Sequence, residues 1–394
     1  MPSPIYTERT TCRSCQSKTL VHVLSLGDQY LCAFPQHVDP GLPKAPLTLV
    51  RCGVCGLLQL LHSVERDLLY GEYWYRSSVN QTMREALKDL VNDALKFVDT
   101  GAWLDIGAND GCLLSHVPDK FHKTACEPSR TFHSQLEEFA DEVIPTYFSR
   151  SETEKSYDVI TSAAMFYDLD DPLSFSKDIA ASLAPNGIWI NQLNDAPTML
   201  DRNAFDGICH EHLCYYTAHD LEALYRRAGL KIIALRFNEI NGGSMRVFAM
   251  RSDSGIGEKN LAGYPKVSPV DAEEFSDRVL RWREIMHSVL DGGSLKYAPI
   301  WCYGASTKGS TLLQFLGMNE RFYAVADRNP AKHGRFMVGS WLPITDEVTM
   351  RKAKPRCMVV LPWAFRAEFV AREAETRKDG TIQMFPLPNP EFVL

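Results

Sequence analysis

The densest run of ionisable side chains in this 394-residue sequence is FDGICHEHLCYYT, where His210, Glu211 and His212 are consecutive. An imidazole, with an unperturbed pKa of about 6.5, exchanges protons at neutral pH, and a neighbouring carboxylate can orient it and raise its basicity. The spacing is not H-E-x-x-H, which places two imidazoles on one helix face around a metal ion. The run therefore favours acid-base catalysis, with a hydrogen-bonded structural loop as the alternative.

Aromatic and hydroxyl side chains are dense over residues 68–84, LLYGEYWYRSSVNQTMR. Tyr75 stands close to Ser77 and Ser78, and a phenol can donate a proton to a substrate oxygen or accept one from it. We therefore predict Tyr75 as a second acid-base candidate. The alternative is that these aromatic rings only cover the seam between two domains.

Four cysteines occur as two C-x-x-C pairs, Cys12 with Cys15 and Cys52 with Cys55. Each pair forms a knuckle whose thiolates converge on one tetrahedral ion, and four sulfur ligands are typical of a structural zinc site. Because no ligand position stays open, the ion would stabilise the fold and take no part in catalysis. Redox-active pairs or a chance spacing are the alternatives.

The stretch AWLDIGANDG, residues 102–111, predicts a strand, a tight glycine turn and the start of a helix. Gly107 and Gly111 let the main chain approach a ligand closely, and a helix would point its free N–H groups at that ligand. The spacing differs from G-x-G-x-x-G and from a P-loop. Asp105 ends this strand, and Glu127 in TACEPS stands where the second strand ends, where a carboxylate can accept both hydroxyls of a ribose. An α/β turn without a ligand is the alternative.

These candidate groups need a scaffold, and the segments from residue 101 onward alternate between strand and helix patterns. The predicted strands are AWLDI, KTACE, EVIPTY, YDVITS and GIWINQL, with helices such as 132–139 and 174–183 between them. This order predicts an α/β fold with a mostly parallel sheet, helices on both faces and ligands at the carboxyl ends of the strands. Met165, just after the fourth strand, is then expected near the reactive end of a bound cofactor.

A second α/β unit opens with PIWCYGASTKGSTLLQFLG, after a loop over 252–269 and an amphipathic helix over 271–290. A strand again leads into a glycine turn, residues 304–309, and then into a helix. This arrangement suits phosphate, to which Lys308 would add a positive charge. This unit has three possible interpretations: an empty Rossmann-like domain, a nicotinamide site or a nucleotide-phosphate site. GASTKG lacks the spacing of a nicotinamide-binding turn, which counts against the second.

The composition limits the class of protein. The net charge of −7 argues against a general nucleic-acid binder or a membrane-surface protein, which need excess Lys and Arg. The sequence contains no apolar run of the roughly 18 residues that a membrane span requires, and its start, MPSPIYTERT, lacks the pattern of a signal peptide. Eleven cysteines without an export signal indicate reduced thiols and metal ligands. We therefore expect a cytoplasmic enzyme that is a monomer or a small homo-oligomer and binds neither nucleic acid nor membrane.

Taken together, the motifs resemble the sugar C-methyltransferases of deoxysugar pathways, which use S-adenosylmethionine (SAM). Nearly the whole chain takes part: the two C-x-x-C pairs with CGLLQ, YRSSVNQTMRE, LDIGANDG, EPS, HEHLCYYT, NGGS, YGASTKGSTLL, DRNPAKHGR and LPWAFR stand in the family's order. The resemblance implies a zinc-binding domain over 1–70 and a class I methyltransferase domain, Rossmann-like and SAM-binding, over 71–251. A second Rossmann-like domain, which helps to bind the sugar nucleotide, is implied over 252–394.

The resemblance further implies methyl transfer from SAM to carbon 3 or 5 of a nucleotide-linked keto sugar, beside a structural Zn²⁺. His212, supported by Glu211, is expected to form an enolate as the base, with Tyr75 donating to the keto oxygen. The expected cofactor contacts are Asp105, Gly107, Asn109, Asp110, Gly111, Glu127 and Met165. The expected contacts to the sugar nucleotide are Ser77, Ser78, His210, Tyr215, Gly304 and Lys308.

The chain departs from the family at two positions. Cys209 stands where the best-characterised branch has a tyrosine, and a thiol is a poorer hydrogen-bond donor than a phenol. Gln192 stands where an acidic residue is expected. Both differences leave the acceptor sugar and the methylated atom open, so an O-methyltransferase on the same scaffold is the first alternative. A non-catalytic zinc-ribbon binding protein is the remote alternative.

Overall fold

The computed structural model describes residues 5–71, 73–292, 295 and 298–394. Within these residues the chain forms a small N-terminal β region, a central sheet with helices on both faces, and a C-terminal sheet of similar design. The domain boundaries 1–70, 71–251 and 252–394 stay a prediction.

The N-terminal region is an antiparallel sheet that takes one strand from the middle of the chain. Its described strands run in the order β11-β4-β3-β2, and β1 pairs separately with β5. Strand β11 follows the His-Glu-His run directly, so pairing with β4 holds this run against the zinc-binding region. The bounds are β1 (Tyr6–Glu8), β2 (Leu20–Tyr30), β3 (Lys44–Cys52), β4 (Leu58–Leu60), β5 (His62–Val64) and β11 (Cys214–Tyr215).

The central sheet has the described strand order β12-β13-β10-β9-β6-β7-β8, and β13 is antiparallel to both of its neighbours. The other neighbouring pairs are parallel, as the alternating sequence predicts. The strand bounds are β6 (Gly101–Ile106), β7 (Phe121–Cys126), β8 (Glu142–Ile144), β9 (Tyr157–Ala163), β10 (Leu183–Asn194), β12 (Leu230–Asn238) and β13 (Ser244–Arg251).

Local sequence signals set the helices around this sheet. Asp171 caps the helix that starts at Pro172, and Thr217 with Asp220 forms a capping box at the start of the helix that follows β11. The helix bounds are α1 (Arg66–Tyr70), α2 (Gln81–Ala94), α3 (His133–Leu136), α4 (Pro172–Ser182), α5 (Ala196–Asp201) and α6 (Ala218–Arg227).

The C-terminal sheet has the described order β16-β17-β15-β14-β18-β19-β20, parallel at its centre and antiparallel at both edges. Its strands are β14 (Ile300–Tyr303), β15 (Phe322–Ala326), β16 (Phe336–Met337), β17 (Leu342–Thr345), β18 (Cys357–Val360), β19 (Ile382–Phe385) and β20 (Glu391–Val393). The helices are α7 (Pro269–Asp291), α8 (Thr307–Leu316), α9 (Glu347–Ala353), α10 (Arg366–Arg372) and α11 (Ala374–Lys378).

Packing between the parts fixes the loop that carries His212. Trp282 of α7 and Phe315 of α8 contact Phe205 of the central part, with ring centroids 4.7 and 5.3 Å apart. Phe205 opens the turn that ends at Gly207, and all three rings are buried. The C-terminal part therefore supports the start of the loop that carries His212. None of the helices in the described part of the chain combines the length and apolar content that a bilayer span requires.

Candidate active site

A cavity opens at the carboxyl ends of β6, β7, β9 and β10, where the parallel order of strands predicts a ligand. The segment of residues 66–71 and 73–78, which we call the covering segment, contributes Arg66, Tyr70, Tyr73, Tyr75 and Ser77 to its wall. The residues that line it from the strand ends include Asp105, Gly107, Asn109, Glu127, Pro128, Ser129, Ala164, Met165, Asp168, Gln192 and Asn194. The cavity thus gathers five of the seven predicted cofactor residues.

The glycine turn after β6 brings the main chain to the cavity in the predicted way. Gly107 has a φ of +72°, and a Cβ there would lie 3.2 Å from the Cγ of Met165. The predicted helix after this turn is wrong, because only a single 3₁₀ turn, Leu114–His116, follows it. Free N–H groups at a helix N-terminus therefore do not explain ligand binding at this turn.

Asp105 is buried at the end of β6, and its Oδ1 accepts a hydrogen bond from Oγ1 of Thr161 at 2.7 Å. Desolvation, aided by the negative charge of Glu127, raises the pKa of Asp105 to about 7. A cation bound beside it would stabilise its ionised form. The site therefore suits a ligand that carries a positive charge.

Glu127 ends β7 with both carboxylate oxygens accepting main-chain N–H groups. Its Oε2 accepts from Asn109 and its Oε1 from Ser129, each at 2.8 Å. Burial raises the pKa of Glu127, while these N–H groups favour its ionised form. Each oxygen keeps a second lone pair, so the carboxylate can still accept from two ribose hydroxyls.

Asn109 and Asp110 hold the covering segment in place. Asn109 Nδ2 donates to the main-chain oxygen of Tyr75 at 3.0 Å, and its Oδ1 accepts from the N–H of Ser77 at 3.0 Å. Asp110 Oδ2 accepts from the N–H and the hydroxyl of Ser78, at 3.0 and 2.6 Å. These bonds fix Tyr75 and Ser77 on the cavity wall.

Three predicted ligand contacts in this region need correction. Asp110, Gly111 and Ser78 are not among the described residues that line the cavity. Asp110 and Ser78 bind each other, and a Cβ at Gly111 would lie 2.5 Å from the ring of Phe139. All three therefore shape the turn and the covering segment.

One ring nitrogen of His212 is hydrogen-bonded, and the other has no hydrogen-bond partner among the described residues. Its Nδ1 lies 2.9 Å from the main-chain oxygen of Gly207, so Nδ1 carries the proton and Nε2 keeps its lone pair. Burial, followed by the positive charge of Lys308, lowers the pKa of His212 to about 3. The ring is therefore neutral at neutral pH. It lines a smaller cavity that shares Asn194 with the main one.

Glu211 does not support His212 as predicted. Gly207 is the partner of His212 Nδ1, whereas the Glu211 carboxyl faces Cys209 and Thr307. Glu211 is buried, and its Oε2 has no hydrogen-bond partner in the described part of the structure. Desolvation raises the pKa of this carboxyl.

The other two residues of the polar run have mainly structural contacts. The Nε2 of His210 lies 2.9 Å from the main-chain oxygen of Ala45 in β3, and burial lowers the pKa of His210 to about 4. His210 therefore joins the loop to the N-terminal sheet, which corrects its predicted contact with substrate. The Tyr215 hydroxyl donates to Gly207 at 3.4 Å, and Tyr215 lines the smaller cavity beside His212.

The glycine turn of the C-terminal sheet is filled by protein atoms. A Cβ at Gly304 would lie 2.4 Å from the ring of Pro362, while Lys332 donates to Ala305 O at 2.6 Å. The predicted substrate contact of Gly304 is therefore corrected to a packing role. Lys308 instead reaches the central part, where its Nζ donates to the main-chain oxygen of Asn241 at 3.1 Å. Asn241 lines the main cavity.

The four predicted zinc ligands converge in the N-terminal region. Their sulfur atoms all lie within 4.8 Å of one another, with Cys12 to Cys55 and Cys15 to Cys52 both at 3.6 Å. A tetrahedral Zn–S distance of about 2.3 Å places sulfurs roughly 3.8 Å apart, which this cluster matches. Gln59 donates to Cys12 Sγ at 3.2 Å. The cluster therefore fits a closed four-thiolate zinc site.

Partly buried ion pairs join this zinc-binding region to the cavity wall. Arg13, between the first two cysteines, is buried and donates from Nε to Asp170 at 3.1 Å, and Ser63 donates to the same carboxylate at 2.6 Å. Arg9 adds a bond of 2.9 Å. Because Asp170 also lines the cavity, loss of the zinc-binding fold would disturb the site.

Asp168 is the cavity residue with chemistry that the sequence reasoning missed. It lies three residues after Met165, in the acidic run DLDD that follows β9. An acidic residue in the loop that follows a parallel strand was the available signal. Tyr147 and Phe148, also in the wall, follow the short strand β8 and offer flat apolar surfaces.

Models of three domain families match successive parts of the chain. A putative zinc binding domain matches residues 12–70, a methyltransferase domain 79–235, and a C-methyltransferase C-terminal domain 239–388. Together the three models span most of the chain, which is a SAM-dependent methyltransferase. The C-methyltransferase NovU of Streptomyces niveus is 26% identical in an alignment of 414 residues, which covers 97% of this chain and 96% of that protein.

Two solved structures resemble part of this methyltransferase. A SAM-dependent methyltransferase from Clostridium acetobutylicum is 13% identical, with a TM-score of 0.36 over 43% of this chain and 92% of that one. The magnesium protoporphyrin IX methyltransferase of Synechocystis PCC 6803 is 12% identical, with a TM-score of 0.36 over 48% and 92%. The predicted class I methyltransferase fold, SAM cofactor and structural zinc site are confirmed.

Proposed function

We propose that this methyltransferase methylates a carbon beside the ketone of a nucleotide-linked keto-deoxy sugar, with His212 as the base that forms an enolate. The observation that carries the proposal is the unprotonated Nε2 of His212, which lines the smaller cavity and whose tautomer is set by the bond to Gly207. The resemblance described above suggests the sugar acceptor. None of the eleven cysteines, all of which lie in the described residues, forms a disulfide, which suits the reducing cytoplasm in which we propose that the enzyme works.

The residues of the cavity suit SAM as the methyl donor. When bound, SAM supplies a methyl group on a positively charged sulfur. Asp105 and Glu127 would hold the amino and ribose ends, and Met165 would lie against the glycine turn beside the reacting centre. Negative side chains outnumber positive ones in the described wall, because Asp105, Glu127 and Asp170 stand against Arg66. This imbalance favours a cationic ligand.

Enolate formation requires a base for the C–H group and donors for the oxygen. The lowered pKa of His212 keeps its ring unprotonated but also makes it a weak base. Strong stabilisation of the enolate oxygen must therefore compensate. Tyr75 is one donor: it lines the cavity with 43% of its surface exposed, and burial raises the pKa of its phenol, so the hydroxyl stays protonated.

Lys308 is the residue of the C-terminal part that we assign to the sugar nucleotide. Its ammonium group lies at Asn241 on the cavity wall, where it can meet an anionic phosphate of the acceptor. The same charge adds to the lowering of the His212 pKa. Lys308 therefore connects binding of the acceptor with the pKa of His212.

We expect SAM to bind more weakly as the pH falls, because a cation beside Asp105 requires its ionised form. With a pKa of about 7 in the free protein, Asp105 must release a proton on binding below that pH. The dissociation constant should rise about tenfold between about pH 7.5 and 6. Isothermal titration of SAM at both values measures it. Asp105→Asn should bind more weakly at neutral pH and lose this dependence; an equally steep dependence in Asp105→Asn would contradict the assignment.

The position of the transferred methyl group tests the proposed function. Nucleoside diphosphate 4-ketohexoses are incubated with the enzyme and SAM carrying a ¹³C methyl group, and the product is examined by NMR. The proposal predicts a methyl group bonded to ring carbon 3 or 5, which flank the ketone. A methyl group on oxygen would support the O-methyltransferase alternative and contradict the enolate mechanism.

A further inference from the structure

Asp168 lies in the cavity wall without a role in the function proposed above. It follows β9 in the same turn as Met165. Its Oδ1 is buried and, within the described residues, has no hydrogen-bond partner. A buried polar atom without a partner is costly, so a carboxyl oxygen in this state at a ligand cavity points to a ligand atom or a bound proton.

The turn that carries Asp168 contacts the loop of the proposed base, although Asp168 lines the main cavity and His212 the smaller one. The preceding residue, Tyr167, packs its ring against that of His212 with centroids 4.4 Å apart. The N–H of Leu213 donates to the main-chain oxygen of Tyr167 at 2.8 Å. These contacts join the turn that carries Asp168 to the loop that carries His212.

The surroundings of Asp168 oppose its ionisation. Glu211, whose buried Oε2 also lacks a partner in the described residues, raises the pKa of Asp168 by its charge, after burial as the larger cause. The phenol of Tyr70 faces Asp168 and lies 3.5 Å from the main-chain oxygen of Glu211. Burial and the charge of Glu211 both oppose the ionised form of Asp168, so its carboxyl group favours the protonated form.

We propose that Asp168 is a further catalytic residue, a protonated carboxyl group that donates a hydrogen bond to the acceptor oxygen as negative charge develops there. The inference rests on the proposed function, which requires such a charge. His212 Nε2 takes the proton of the α-carbon, the C–H electron pair forms the enolate double bond, and the carbonyl pair moves to the oxygen. The enolate carbon then bonds to the methyl carbon while the carbon-sulfur pair stays on sulfur, and the carbonyl is restored. The Asp168 proton remains in place throughout.

This assignment gives the enolate oxygen a second donor beside Tyr75. A neutral carboxyl group is a stronger hydrogen-bond donor than a phenol because it is the stronger acid. Two donors aimed at one oxygen form the arrangement that stabilises oxyanions in enzymes. They offset the weakness of His212 as a base.

The proton on Asp168 is tested by infrared difference spectroscopy, with S-adenosylhomocysteine as the probe that fills the cofactor site. The wild-type minus Asp168→Asn spectrum should contain the C=O stretch of a protonated carboxylic acid at neutral pH. Asp277→Asn, which changes an exposed aspartate of α7, should show no such band. A carboxylate signal in place of that band would overturn the proposal whether or not any keto sugar is methylated.

The donor role is tested by exchange of the α-hydrogen in a keto sugar that the wild type methylates. Asp168→Ala should lower the exchange rate by about 10²- to 10³-fold at unchanged affinity for S-adenosylhomocysteine. Asp168→Asn should retain more exchange than Asp168→Ala, because its amide can still donate a hydrogen bond. If Asp168→Ala does not bind S-adenosylhomocysteine, the exchange rate of Asp168→Asn is compared with the wild type instead. Undiminished exchange in a variant that binds the probe would overturn the proposal. If the wild type acts on no keto sugar, the proposed function fails, and the infrared result still reports the proton.

Discussion

His212→Asn is expected to lower kcat for methyl transfer by about 10²- to 10⁴-fold, the usual contribution of a general base. Asparagine can still donate to the oxygen of Gly207, so the loop should keep its shape while the lone pair of Nε2 is lost. The affinity for SAM should stay unchanged, because the described cofactor cavity is lined by other residues. Steady-state kinetics and isothermal titration on the same preparation measure both quantities.

His22→Asn is the matched control for this variant, since it makes the same change at an exposed position in β2. It should keep the wild-type kcat. Wild-type activity in His212→Asn would remove His212 from the mechanism. Loss of both activity and SAM binding would instead indicate that His212 mainly supports the fold of its loop.

Removal of zinc is expected to unfold the N-terminal region and abolish activity. Structural zinc contributes about 10–16 kcal/mol of apparent binding free energy in small domains, more than the stability of a typical domain. The loss should spread to the active site, because β11 pairs with β4 and Arg13 binds Asp170 on the cavity wall. Cys52→Ser, or a strong chelator, should therefore lower both the melting temperature and kcat.

Zinc content by mass spectrometry, thermal unfolding and activity are measured together in this experiment. Cys32→Ser, which changes a half-buried thiol outside the cluster, should retain one zinc ion per chain. Added zinc should restore the chelated wild type. Full stability and activity after complete loss of zinc would show that the four cysteines do not support the catalytic part.

Much of the fold could be predicted from local sequence, because strand and helix periodicity and turn residues act over short distances. The strands after residue 100, the C-x-x-C pairs and the acidic strand ends at Asp105 and Glu127 all show this. The helix expected after Gly111 was wrong. One 3₁₀ turn ends at Val117, which is extended and directly precedes Pro118, and the residue before a proline disfavours the helical conformation.

The partners of buried polar groups could not be predicted, since they depend on the path of the loop and on distant parts of the chain that pack against it. His212 and Glu211 are neighbours in sequence, yet one binds Gly207 and the other faces Cys209 and Thr307. His210 binds Ala45, 165 residues away. Lys308 likewise does not face the glycine turn of its own sheet, where we predicted phosphate binding, but donates to Asn241. Only packing of the three parts decides such contacts.

The exchange of an α-hydrogen in deuterium oxide tests the central claim, an enolate formed by His212, most directly. A keto sugar nucleotide that the enzyme methylates is incubated with S-adenosylhomocysteine and enzyme, and the signal of the hydrogen on the carbon that becomes methylated is followed by ¹H NMR. We predict that the wild type exchanges this hydrogen for deuterium and that His212→Asn does not. Methylation of that carbon by an enzyme that shows no exchange, or undiminished exchange in His212→Asn, would contradict the account.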